Sequence, residues 1–128
     1  MKFLALFLSF PLFMFGQEYP QDYFQSPLDI PIDLSGSFGE LRSNHFHSGL
    51  DMKTKGVEGL PVYASADGYV SRIKISTFGY GKAIYVTHPN GYTSVYGHLQ
   101  KANGAIQEYI KKKHYQEKKH SYSHVHYL

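Results

Sequence analysis

Three histidine-containing stretches of this 128-residue chain carry residue types that bind metals. The first, HFHSGLD at residues 45–51, holds His47 and Asp51 four positions apart. That spacing brings two side chains to one face of a strand and near one another on a helix, although Gly49 between them argues against a helix. An imidazole nitrogen and a carboxylate oxygen are both good zinc ligands. Because the spacing is common in proteins, the pair becomes informative only through its context.

The other two stretches supply further histidines. SVYGHL, at residues 94–99, places His98 two positions after Tyr96, and HVHYL near the C-terminus contains His124 and His126. Residues at alternate positions of a strand point to one face, so the last two histidines would face the same way on a strand. A hydrolytic zinc site needs three protein ligands and an open position for water. The three stretches together are compatible with such a site.

The order of several landmarks resembles the LytM-type zinc metallopeptidases, the M23 family of peptidoglycan endopeptidases. The resemblance covers roughly residues 37–99. Its landmarks are Phe38-Gly39, the His-x-x-x-Asp pair, PVYASADGYV at 61–70, the loop from Gly79 to Gly81, His88 before Asn90-Gly91, and Tyr96-x-His98. The resemblance implies a mainly β fold, an antiparallel sheet or half-barrel of the LytM (duplicated hybrid motif) type, to which the apolar spacing after Leu99 adds a short C-terminal helix.

The resemblance also implies roles for individual residues. It maps His47 and Asp51 onto two ligands of a Zn²⁺ ion. It maps His98 onto a catalytic histidine that lies beside the metal and polarises the scissile carbonyl or stabilises the oxyanion. His45 looks like a ligand by composition, but the resemblance does not place it on zinc, and we expect it to support the site or the fold. We expect His88 to be structural and to pack under the hairpin.

In the family, the remaining ligand is the second histidine of a His-x-His strand, and the first histidine is catalytic. Here His124 and His126 form such a pair, but the Gly-rich segment that precedes it in the family is absent. The Lys- and Ser-rich tail does not resemble a core strand. Three interpretations stay open: a shifted ligand strand, a chance match in a His-rich tail, or a C-terminally truncated enzyme, which we favour. With His47 and Asp51 alone, we expect weak zinc binding and slow or absent hydrolysis.

Turn and strand signals predict how the chain positions these residues. Residues 17–44 are rich in Pro, Gly and Ser and predict an extended N-terminal arm. Residues 45–99 predict a β domain in which Asp67-Gly68 and Asn90-Gly91 each join two strands. Residues 100–128 predict a tail rich in His and Lys that begins with a helix, because its apolar residues have helix-like spacing.

The N-terminal residues 1–16, MKFLALFLSFPLFMFG, predict a secretory signal peptide. One Lys is followed by an uninterrupted apolar run and then by Gly16. The run is too short to span a bilayer comfortably. We therefore expect an exported chain that begins near Gln17, lies in the periplasm or outside the cell, and has no stable membrane anchor after cleavage.

Composition excludes several other classes. The chain has no cysteine, which excludes disulfides, thiolate zinc sites and a cysteine nucleophile. Its net charge of +3 is small, and the Lys run at 109–120 is better explained by a solvated face than by a nucleic-acid partner. Residues 60–75 are similar to hairpins of biotinyl and lipoyl carrier domains, but neither turn carries the Lys that such domains modify. The M23 resemblance implies a peptidoglycan peptide as the partner, and the alternative function is an inactive module of the same fold that binds peptidoglycan or activates a hydrolase.

Overall fold

The computed structural model describes residues 21–117 and the backbone of residues 125–127. The predicted signal peptide and His124 lie outside the described residues. In chain order the elements are β1 (Leu34–Gly36), β2 (Asp51–Met52), β3 (Tyr69–Ile75), β4 (Lys82–Thr87), β5 (Thr93–Tyr96), α1 (Gly104–Glu117) and β6 (Val125–Tyr127). Among the described residues, no helix is long and apolar enough to cross a membrane.

The strands form two antiparallel sheets. β1 pairs with β2, and a four-stranded sheet has the order β5-β4-β3-β6. Short loops connect β3 to β4 and β4 to β5, so these three strands form a meander of sequential neighbours. The prediction of a mainly β fold with a short C-terminal helix is confirmed.

The hairpin predicted at Asn90-Gly91 forms between β4 and β5. The His88 N–H donates to the Tyr92 carbonyl at 2.9 Å, and the Gly91 N–H donates to the His88 carbonyl at 2.9 Å. The Tyr92 N–H donates to Asn90 Oδ1 at 3.1 Å. Gly91 has a φ of 86°, in the left-handed region that glycine tolerates best. Local turn chemistry therefore sets the register of this hairpin.

The hairpin predicted around Asp67-Gly68 is wrong in its first half, because the segment before this turn forms no strand. That segment runs beside the N-terminal arm instead. The Tyr63 N–H donates to the Pro27 carbonyl at 2.9 Å, and the Gln25 N–H donates to the Ser65 carbonyl at 2.7 Å. The backbone groups that would have paired with β3 are thus partnered by the arm, which the local turn signal does not reveal.

Gly68 is required by close packing against β4. A Cβ at this position would overlap the Thr87 carbonyl oxygen and lie 3.0 Å from His88 Nδ1. We expect Gly68→Ala to lower the free energy of unfolding by roughly 1–3 kcal/mol, as overpacking does elsewhere. Urea denaturation measures this. Gly49→Ala is the matched control, since its Cβ would meet only His47 Nε2 at 3.9 Å. Equal stability of the two variants would contradict the close approach.

His88 is a buried part of the core and lies beneath the hairpin. His88 is only 2% exposed, and the buried apolar residues among those that the structure describes are Ile73, Ala83 and Val86. Its Nδ1 donates to the Asp67 carbonyl at 2.8 Å, its Nε2 lies 2.8 Å from Ser94 Oγ, and the Phe24 ring packs edge-on at 5.2 Å. Both ring nitrogens are therefore engaged in structure, and the structural role expected for His88 is confirmed.

The C-terminal region contains both the predicted helix and an unpredicted strand. In α1, the apolar residues Ile106, Tyr109 and Ile110 lie on one half-buried face, as their spacing predicts. The Lys- and Ser-rich tail does not resemble a core strand, yet part of it pairs with the core sheet, as the interpretation of a ligand strand requires. The backbone of β6 pairs antiparallel with β3, with His126 opposite Ile73. This pairing joins residues about fifty positions apart and leaves no local sequence signal.

Candidate metal centre

Two short backbone ladders hold His47 and Asp51. The His47 N–H donates to the Glu40 carbonyl at 2.8 Å, and the Gly39 N–H donates to the His47 carbonyl at 2.7 Å. Asp51 begins β2 and lies opposite Gly36 of β1. Because both residues are fixed by backbone pairing within the same small region, their side chains meet without a helix.

The His47 ring is oriented so that one nitrogen is left to face Asp51. Its Nδ1 lies 3.0 Å from the Ser37 carbonyl, which can only accept, so Nδ1 carries the proton. In a neutral ring Nε2 then presents a lone pair, 3.2 Å from Asp51 Oδ1. A lone pair facing a carboxylate is unfavourable unless a proton or a metal ion lies between them. Two ligand atoms of a tetrahedral zinc ion lie about 3.4 Å apart, so the pair fits two zinc positions.

The second oxygen of the Asp51 carboxylate is held by Arg42. Arg42 Nη2 donates to Asp51 Oδ2 at 2.8 Å and lies 3.5 Å from Glu40 Oε2. A Cβ on Gly36 would lie 2.5 Å from both Arg42 Nη2 and Asp51 Oδ2, so this ion pair needs a glycine there. The guanidinium therefore fixes the carboxylate and leaves Oδ1 directed toward His47.

The third position of a zinc site is not supplied by the side chains that the structure describes. Among them, no group of three or more His, Asp or Glu residues could hold a metal ion. His45 forms no such group with the pair; its exposed side chain has Nδ1 2.6 Å from Asn44 Oδ1. The backbone of β6 carries His126, whose side chain lies outside the described residues.

His98 follows β5 on a segment that contacts the loop between β3 and β4. Its φ of 55° is in the left-handed region, which is uncommon for a residue with a side chain and is often found at functional sites. The His98 N–H donates to the Tyr80 carbonyl at 2.8 Å, and the two rings meet edge-on with centroids 6.5 Å apart. Tyr80 Oη also lies 2.8 Å from Ser48 Oγ, next to His47.

Three residues with roles in this arrangement were missed by the sequence analysis: Ser37, Arg42 and Tyr80. Ser37 acts through its carbonyl group, which no residue type encodes. The position of Arg42 in the sequence does not predict its contact with Asp51, because backbone pairing between separate segments brings the two residues together. The loop that contains Tyr80 was among the landmarks, but only its glycines indicated a function.

Comparison with known proteins places these residues in a family context. The model of peptidase family M23 matches residues 45–127, more than half of the chain. The matched range includes His47, Asp51 and His98, and it extends through His126. No solved structure matches the chain.

Curated relatives cover part of the same range. Cell division protein DipM of Caulobacter vibrioides is 28% identical over 79 residues, which is 62% of this chain and 13% of that protein. DD-carboxypeptidase/endopeptidase Mpg of Neisseria meningitidis and Neisseria gonorrhoeae is 39% identical over 59 residues, which is 46% of this chain and 13% of each relative. The chain therefore spans a small part of the length of the relatives that it matches.

Proposed function

Because the chain belongs to peptidase family M23, we propose that it is a zinc-dependent endopeptidase that cleaves cross-link peptides of peptidoglycan after export to the cell envelope. The observation that carries the proposal is the contact between His47 Nε2 and Asp51 Oδ1, which has the separation of two zinc ligands. The name of the Mpg relatives, carboxypeptidase/endopeptidase, supports a peptide bond as the target. Export rests on the signal-peptide prediction at residues 1–16.

We assign the third ligand position to His126. Two observations support this choice over a chance match. The family match runs through residue 127, so it includes the His-x-His pair. The backbone of β6 is also part of the sheet, where His126 lies opposite the buried Ile73. A third ligand on a strand of the sheet would be held in place by backbone pairing, as the other two are.

The residues of this chain then have separate tasks. Zinc bound at the site would supply a Lewis acid for the peptide carbonyl and a water of lowered pKa. Ser37 fixes the His47 tautomer that leaves Nε2 free to bind, and Arg42 fixes the Asp51 carboxylate. The exposed His98 offers a ring N–H to the carbonyl oxygen as negative charge develops there. His124, outside the described residues, would hand a proton to the leaving amine.

Arg42 provides a test of how the carboxylate is held. We expect Arg42→Gln to weaken zinc binding by roughly 10- to 100-fold, because partners that orient a metal ligand are worth that much. Competition with a chelating dye measures the affinity. Lys53→Gln makes the same charge change on a residue paired with Asp33 at 3.1 Å and should leave the affinity unchanged. Identical affinities for the two variants would show that Arg42 does not support the metal site.

The proposal as a whole is tested on the exported protein. Its intact mass reports whether residues 1–16 have been removed, and elemental analysis reports zinc. Cleavage of purified muropeptides should stop when a chelator removes the metal and should return when zinc is added. A protein that retains stoichiometric zinc but cleaves no muropeptide would refute the endopeptidase.

The alternative is an inactive module of the same fold that binds peptidoglycan or activates a hydrolase. It is favoured by one observation, the absence of a three-ligand group among the described side chains. The two functions separate cleanly in a sedimentation assay with purified cell-wall sacculi. An inactive module should bind sacculi equally well with and without zinc and release no peptides.

A further inference from the structure

One residue, Tyr80, contacts both the segment that carries His98 and the segment that carries His47. Tyr80 lies in the loop between β3 and β4. Its hydroxyl is 2.8 Å from Ser48 Oγ, directly after His47, while its carbonyl and its ring both contact His98. From this double contact we infer that Tyr80 is a positioning residue that sets the place of His98 relative to the His47–Asp51 pair.

The backbone around Tyr80 is shaped to allow these contacts. Gly79 and Gly81 on either side have φ values of 68° and 61°, which hold the loop in a left-handed conformation that other residues adopt at a cost. On the opposite side, a Cβ on Gly97 would lie 3.2 Å from Tyr80 Cδ1. The ring therefore occupies the space that the missing Cβ of Gly97 leaves.

His98 depends on these contacts more than an ordinary strand residue would. It lies beyond the end of β5 and has a left-handed φ, so the regular ladder of the sheet does not fix it. The hydrogen bond from its N–H to the Tyr80 carbonyl holds it against the loop, and the bond from the Leu99 N–H to the Lys82 carbonyl at 3.0 Å holds the next residue against the start of β4. A shift of Tyr80 therefore moves His98 with it.

The consequence for the reaction rests on the proposed function. A histidine that donates to a developing oxyanion must be placed within a few tenths of an ångström, and misplacement lowers kcat without changing the ligands of the metal. We therefore expect Tyr80→Phe and Ser48→Ala each to lower kcat by about three- to tenfold, with KM and zinc content near those of the parent protein. The double variant should be no slower than either single variant, because both remove the same contact.

Nuclear magnetic resonance of the full chain tests the coupling without any need for activity. Ser48 and His98 have no direct hydrogen bond, so an effect of one on the other must pass through an intermediate. Ser48→Ala should shift the amide and ring signals of His98 in the parent background. It should cause no further shift in a Tyr80→Phe background. Ser48→Thr, which keeps a hydroxyl, should retain the parental signals.

Tyr92→Phe is the matched control, since it removes a phenol hydroxyl in the β4–β5 turn and should leave His98 unchanged. Unchanged His98 signals in Ser48→Ala, or an equal shift in both backgrounds, would overturn the positioning role. A parent protein that neither binds zinc nor cleaves muropeptides would refute the proposed function, while the His98 signals would still decide the role of Tyr80.

Discussion

Replacement of His47 by alanine should leave the chain without bound zinc and lower kcat/KM on muropeptides by more than about 100-fold, beyond the effect expected for partners that only orient a ligand. The imidazole supplies Nε2 as the ligand atom. The Ser37 carbonyl selects the tautomer in which the proton is on Nδ1 and Nε2 is free to bind. Asp51→Ala should act in the same way, because it removes the carboxylate oxygen that lies 3.2 Å from His47 Nε2. Elemental analysis and a muropeptide assay measure both effects.

His45→Ala is the control for this prediction. It removes an exposed imidazole two positions away that contacts Asn44, and it should keep the parental zinc content and rate. The Asp51 side chain is 43% exposed, so the loss of metal should not follow from unfolding, which circular dichroism can verify. Full zinc occupancy in His47→Ala would exclude this residue as a ligand.

His126→Ala should remove zinc as thoroughly as His47→Ala does. Loss of one of three protein ligands leaves two, and two ligands hold zinc weakly and leave more of the ion exposed to water. His124→Ala should differ, since the residue is assigned to proton transfer: zinc should stay bound while kcat falls by roughly 10²- to 10⁴-fold. Measurement of zinc content beside kcat therefore separates the two histidines.

The same pair of variants decides between the interpretations of the tail. Parental zinc content in His126→Ala would mean that the His-x-His pair is incidental and that His47 and Asp51 bind the metal without it. Loss of zinc in both variants would assign both histidines to the metal and would refute the proton-transfer role of His124.

The parts of the fold that sequence predicts are those encoded locally. The turn at Asn90-Gly91 and the helix after Leu99 are each specified by residues within a few positions, and both form as expected. The strand expected before Asp67-Gly68 does not form, because the arm at Gln25 and Pro27 takes its hydrogen bonds. Competition between distant segments is a tertiary effect that a local pattern does not contain.

The candidate site divides in a similar way. The types and spacing of His47 and Asp51 predict a pair of metal ligands, and in the structure the two side chains are in contact. The groups that orient them are a carbonyl of Ser37 and a guanidinium of Arg42, which arrive through backbone pairing of β1 and the turn that precedes His47. The sequence does not show which backbone carbonyl will accept a hydrogen bond, or which side chain will contact another across paired backbone segments. The structure was therefore needed to identify Ser37 and Arg42.

The position of β6 ties metal affinity to the order in which the sheet assembles. β3, β4 and β5 are joined by short loops and are able to fold as a local unit, whereas β6 must close a loop of about fifty residues before it pairs with β3. An edge strand added over such a distance opens more readily than the meander beside it. If His126 is a ligand, the chain binds zinc tightly only in the fraction of molecules with β6 docked, and the apparent dissociation constant rises as that fraction falls. Zinc in turn favours the docked state. When zinc is scarce, the first structural change should therefore be the detachment of β6 from β3.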